Sequence, residues 1–183
     1  MTDQRRIGGL HHYAYRCRNA EETRSFYEDL LGLPLAHVIR ADSVPSTGAA
    51  DPYVHLFFEF ADGSYIAFFD LGDETACTPD PATPSWVNHF AMRVDTLAEV
   101  EAWKKRLEDA GIEVVGITDH GFVKSIYFFD PNGVRLEITT ELIGEPERAR
   151  YRDRAHAALK AWTDGRPPPP TSHYAAARAK AGI

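Results

Sequence analysis

A chain of 183 residues has room for one compact domain or two small packed modules, and with 44% hydrophobic residues it can build a core without disulfides. The formal net charge of −7 excludes a broad basic footprint for nucleic acid. No apolar run approaches bilayer length, and the opening MTDQRRIGGL lacks the apolar stretch of a secretory leader, so no membrane partner is expected. The only cysteines, Cys17 and Cys77, are far apart, which points to reduced thiols and a cytoplasmic setting.

In chain order, the first element is a strand through His12-Tyr-Ala-Tyr-Arg16. Asn19 with Glu22 then marks a helix start, and the helix should turn Phe26, Leu30 and Leu31 inward before stopping at Gly32. The period then shortens to two. Residues 54–60, the turn Asp62-Gly63 and residues 64–69 read as a hairpin. A proline-rich linker, 77–84, closes a first module that spans 8–72.

The pattern then repeats. His89-Phe-Ala-Met-Arg93 matches His12-Tyr-Ala-Tyr-Arg16 as His-aromatic-Ala-x-Arg. Thr96 with Glu99 starts a second helix, expected to bury Leu97, Val100, Trp103, Leu107 and Ala110 and to end at Gly111. Residues 125–129, the turn 130–133 and residues 134–139 make a second hairpin, with Gly133 equivalent to Gly63. This second module spans 86–141. Beyond it, in 142–183, come an amphipathic helix over 146–162, a stiff stretch Pro167–Pro170 and an alanine-rich tail. Arg148, Arg150, Arg152 and Arg154 alternate around that helix as a solvated or interface face. The fold class is therefore α+β, two βαβββ modules with a C-terminal helix and tail.

Strand alternation sorts the side chains. His12, Ala14 and Arg16 share one face, as do His89, Ala91 and Arg93; in the last strand Arg135, Glu137 and Thr139 lie opposite the apolar Val134, Leu136 and Ile138. A carboxylate amid an apolar strand is costly without a partner. Two imidazoles, His12 and His89, and one carboxylate, Glu137, are thus the candidate metal ligands. Such a set leaves open positions and suits Fe(II) and oxygen chemistry, while also accepting Mn, Ni, Co or Zn. Phe57, Phe58, Phe68, Phe69, Phe128 and Phe129 could wall an aryl pocket, although core packing is the commoner use of phenylalanine.

With these residues in view, the chain resembles the vicinal-oxygen-chelate superfamily: glyoxalases, epimerases, fosfomycin and bleomycin resistance proteins, and type I extradiol dioxygenases. His12-x-Ala, Phe26-Tyr27 and Leu31-Gly32 resemble the common first-module pattern. The likeness implies that the two modules form a half-barrel around one metal. A longer stretch, Thr118-Asp-His120 through Ile126-Tyr127 and Asp130-Pro131-Asn-Gly133 to Glu137, is similar to the signature of the one-domain extradiol dioxygenases. That resemblance implies an Fe(II) enzyme opening a catechol-type ring with O2, with His120 and Tyr127 near the bound oxygens. The acid–base histidine of larger relatives has no counterpart in 70–85, so His55 or His120 would serve. A fourth ligand, usual in glyoxalase-like members, would fall at Ala67, which favours three ligands. A metal-dependent glyoxalase, lyase or isomerase, or a drug-binding resistance protein, is the alternative. A homodimer is expected because such modules expose sheet edges.

Overall fold

The computed structural model describes residues 7–76 and 82–166. Most of the proline-rich linker and the stretch from Pro167 onward lie outside them.

The first module opens with β1 (His12–Cys17). Asn19 then caps α1 (Ala20–Arg24), its side chain accepting from the backbone N–H groups of Glu21 and Glu22. The helix continues as a wider, π-helical stretch, Ser25–Leu30. β2 (Leu35–Ala41), β3 (Tyr53–Glu59) and β4 (Tyr65–Asp70) follow. The second module repeats the order: β5 (Phe90–Arg93), α2 (Leu97–Asp109), β6 (Val115–Asp119), β7 (Val123–Phe129) and β8 (Arg135–Glu141). Thr96 and Glu99 cap α2 reciprocally, satisfying two otherwise orphaned N–H groups.

Each module folds into its own four-stranded sheet, ordered β1-β4-β3-β2 and β5-β8-β7-β6. The first strand of each runs parallel to the last, and the remaining pairs are antiparallel. Gly63 and Gly133, at φ 81° and 80°, make the equivalent hairpin turns in a conformation that a Cβ disfavours.

Both sheets turn one face to a shared core. Cys17, Leu56, Phe58, Ile66 and Phe68 from the first module meet Ile126, Phe128, Val134, Leu136 and Ile138 from the second, with Phe26, Tyr27, Val100 and Leu107 from the helices. Burying each large apolar side chain stabilises the fold by roughly 1.5–3 kcal/mol. The helix faces differ from expectation at two points. Ala110 is exposed, because α2 has ended by then, and Tyr27, absent from the expected inward set, is completely buried.

Tyr27 is buried because its hydroxyl has a long-range partner. It donates to Asp130 Oδ2 at 3.0 Å, in the β7–β8 turn of the other module. Asn132 of the same turn donates to Thr23 Oγ1 at 3.1 Å and accepts from the Arg18 backbone N–H at 3.0 Å. Asp130 also accepts from the backbone N–H groups of Asn132 and Val134. Burial nonetheless pushes its carboxyl above the usual carboxylate range. The Asp-Pro-Asn-Gly turn thus fastens the first helix to the second sheet.

Among the described residues, 142–166 belong to a separate unit. Its helix α3 (Glu145–Asp164) has Pro146 in the first turn. Two of the four alternating arginines, Arg148 and Arg152, pair with Glu145 at the helix start, where a carboxylate also suits the helix dipole. No helix among the described residues is long and apolar enough to cross a membrane.

Candidate metal centre

The sheet faces turned away from the core carry the candidate site residues, and the registers show how they correspond. In the first module Ala14 pairs with Ala67, and Phe57 pairs with the same Ala67. In the second, Ala91 pairs with Glu137, and Tyr127 pairs with Glu137. Ala67 is therefore the structural counterpart of Glu137, and Phe57 that of Tyr127. His12 and His89 each stand two residues before the paired alanine.

On the second module these residues meet. His89, one residue before β5, places Nε2 3.0 Å from Glu137 Oε2, and Glu137 is only 6% exposed. Its Nδ1 lies 3.1 Å from the Val87 carbonyl oxygen. A carbonyl can only accept, so Nδ1 carries the proton. In a neutral ring Nε2 then presents its lone pair to a carboxylate, an arrangement that calls for a proton or a cation between them. A protonated ring meets that requirement as an ion pair, and a divalent ion between the two groups would meet it as well. His89 and Glu137 fit a divalent ion as an imidazole and a carboxylate donor already side by side.

Next to them lies Tyr127. Its ring meets His89 edge-on at 6.0 Å, and its hydroxyl is 2.8 Å from His120 Nε2. Burial, and then the charge of Glu137, push the Tyr127 hydroxyl above its ordinary pKa, so it stays protonated and able to donate. Arg135 covers the same ring, its guanidinium carbon 4.4 Å from the ring centre. Sequence reading paired His120 with Tyr127 and placed Arg135 on this face, but gave Arg135 no role.

The first module holds a different set. His12 is exposed; its ring lies 6.1 Å from that of His55 and 5.5 Å from that of Phe57, and its Nδ1 is 2.8 Å from His11 Nδ1. His55 is 7% exposed and stacks on Phe69 at 3.6 Å. Burial, followed by the neighbouring His12 and His37, lowers its pKa to about 4, so this imidazole is neutral. Its Nε2 is buried without a hydrogen-bond partner.

The geometry bears on two expectations. Among the described residues, no three His, Cys, Asp or Glu side chains stand close enough together to hold an ion. His12 therefore does not converge on His89 and Glu137 in this structure; its ring packs with the aromatics of its own sheet. The six phenylalanines, too, are not one group. Phe58, Phe68 and Phe128 are in the core, whereas Phe57, Phe69 and Phe129 occupy the alternate positions. Arg16 pairs with Asp73, and Asp62 lies within the electrostatic reach of Arg93. Cys17, buried and pushed up to about 11, remains a thiol.

Sequence reading also missed Phe57 as the counterpart of Tyr127. Each lies six residues before the turn glycine, Gly63 or Gly133, a spacing visible in the sequence.

Comparison with known proteins follows the same lines. The chain is 27% identical over 172 residues to Glyoxylase I 4 of Arabidopsis thaliana, covering 84% of this chain and 87% of the relative. It is 30% identical over 79 residues to biphenyl-2,3-diol 1,2-dioxygenase 2 of Rhodococcus globerulus, covering 43% of this chain and 42% of that enzyme. Among solved structures, the glyoxylase/bleomycin resistance protein/dioxygenase domain from Frankia sp. EAN1pec superposes with a TM-score of 0.60 at 15% identity, covering 74% of this chain and 99% of that one. The model of the Glyoxalase/Bleomycin resistance protein/Dioxygenase superfamily matches residues 9–138, both sheets and both of their helices, and the chain with its paired βαβββ modules belongs to that superfamily.

Proposed function

We propose that the protein is an Fe(II)-dependent extradiol dioxygenase that opens a catechol-type aromatic diol with O2. The observation that carries this reading is the juxtaposition of His120, Tyr127, His89 and Glu137 on one sheet face. His89 Nε2 and Glu137 are two ligands already adjacent, and the His120–Tyr127 pair stands beside them at 2.8 Å. His12, which stands apart from this pair in the structure, would complete the set as third ligand by turning its ring away from His55 and Phe57. The bound ion supplies a template for the diol and O2 and a path for electrons.

The protein's own groups do the rest. Tyr127, held protonated, donates a hydrogen bond to a substrate oxygen. His120, whose Nε2 meets the Tyr127 hydroxyl, takes up a phenolic proton and returns one later. His55 is a poorer acid–base candidate, since a pKa of about 4 leaves it a weak base. Phe57 and Phe69 offer an apolar shelf for an aryl ring.

Likeness to Glyoxylase I 4 over most of both chains favours a second reading, a metal-dependent lyase or isomerase. Ala67 weighs against it, because a buried methyl group stands where a second carboxylate ligand would come. An oxygen electrode separates the two. Protein loaded anaerobically with Fe(II) should consume O2 with simple catechols and yield a yellow ring-opened product. Absence of uptake across a panel of catechols, with isomerase or lyase turnover in the presence of Ni(II) or Zn(II), would establish the second.

A further inference from the structure

We propose that the substrate carries an anionic group, a carboxylate in the simplest case, and that Arg135 grips it. This rests on the reading of the site as a catechol-binding metal centre and adds the substrate's charge.

Arg135 stands two residues before Glu137 on β8, on the same strand face, with its guanidinium over the Tyr127 ring. The side chain is partly buried, and its Nε is wholly buried with no hydrogen-bond partner. No ion pair ties it to a carboxylate among the described residues, whereas Arg16 pairs with Asp73, Arg18 with Glu22, and Arg24 with Glu21, Glu28 and Asp29. A buried, charged donor without an acceptor is costly, and an acceptor supplied by a ligand would relieve that cost. The stacking on Tyr127 fixes the guanidinium plane, so that its edge can meet a carboxylate through two parallel N–H donors.

Charge balance points the same way. A divalent ion and Arg135, set against the single negative charge of Glu137, leave this face positive. A neutral catechol that releases one proton on binding offsets only part of that charge. A substrate with an additional carboxylate offsets more, and does so at the group that lacks a partner. The other orphaned side-chain atom among the described residues, His55 Nε2, belongs to an imidazole that burial holds neutral and that cannot compensate an anion.

The test compares two probes of similar shape, 3,4-dihydroxyphenylacetate and 4-ethylcatechol, by calorimetric titration of the Fe(II)-loaded protein under nitrogen, where no turnover occurs. The expected result is that the carboxylated probe binds at least about 10-fold more tightly. Arg135→Gln should erase that preference while leaving Fe(II) affinity unchanged, and Arg135→Lys should retain part of it. Equal affinity of the wild-type protein for both probes, or a preference that survives Arg135→Gln, overturns the assignment of Arg135 and leaves the dioxygenase reading standing. If Arg135→Gln does not fold, the wild-type comparison and Arg135→Lys decide. Failure of the wild-type protein to bind either probe overturns both readings together.

Discussion

The two modules share a backbone plan and differ in what that plan displays. At matched positions the first module carries Ala67 and Phe57, the second Glu137 and Tyr127. Around Ala67 the first sheet's open face is aromatic, with a histidine, His55, that burial holds unprotonated. The second face holds a carboxylate, two histidines, a tyrosine and an arginine in mutual contact or close by. A repeat therefore supplies symmetry of position, while chemistry depends on which copy retains polar side chains. One module suits ligation and proton transfer, and the other offers exposed imidazoles, His12 among them, and an apolar surface.

The largest effect expected from breaking this asymmetry is at Glu137. Glu137→Ala should lower Fe(II) affinity by more than about 100-fold, beyond what loss of an outer-shell partner causes, measured by metal titration with a competing chelator. Unchanged affinity would remove the carboxylate from the site. Making the modules alike is the converse experiment. Ala67→Glu inserts a carboxylate at a fully buried position between Ala14 and Phe57, and should destabilise the apo-protein by about 1–3 kcal/mol in urea melts. If added Fe(II) or Ni(II) restores the stability, the first module retains a latent ligand position.

A smaller loss is expected from the fastening between modules. Tyr27→Phe removes the hydrogen bond to Asp130 and should cost about 1–2 kcal/mol, since Asp130 keeps its contacts with Asn132 and Val134. No change in the urea midpoint would mean that this bond does not hold the helix to the second sheet.

The smallest effect is a pH slope. The His55 pKa is lowered from 6.5 to about 4, so in acid the unfolded chain binds a proton that the folded chain refuses. Its contribution to stability is fully present above pH 6.5 and is lost as the pH falls through that window towards 4. His55→Phe should flatten the slope between those values in denaturation at stepped pH. An unaltered slope would assign acid sensitivity to other groups.

Much of this was legible in the sequence because it is local or repetitive. The doubled His-aromatic-Ala-x-Arg, the caps at Asn19 and Thr96 and the turns at Gly63 and Gly133 each follow from short-range spacing. Alternation also separated Glu137 from its apolar neighbours, while the resemblance to the extradiol dioxygenase signature set His120 with Tyr127. What escaped depends on contacts far apart in the chain. Tyr27 reads as one aromatic among several until Asp130, 103 residues on, supplies its acceptor. The orientation of His12 is similar, being set by His11, His55 and Phe57. Arg135 escaped for another reason: its significance lies in the missing partner, and spacing cannot reveal an absent contact.

The claim on which the rest depends is that His89 and Glu137 hold one ion together with His12. Crystals of the Fe(II)-loaded protein, measured for anomalous scattering at the iron edge, test it directly. The account predicts a single iron bonded by His89 Nε2, a Glu137 carboxylate oxygen and the His12 imidazole. Iron bound at other residues, or His12 still packed against His55 and Phe57 with the metal at saturation, would contradict it.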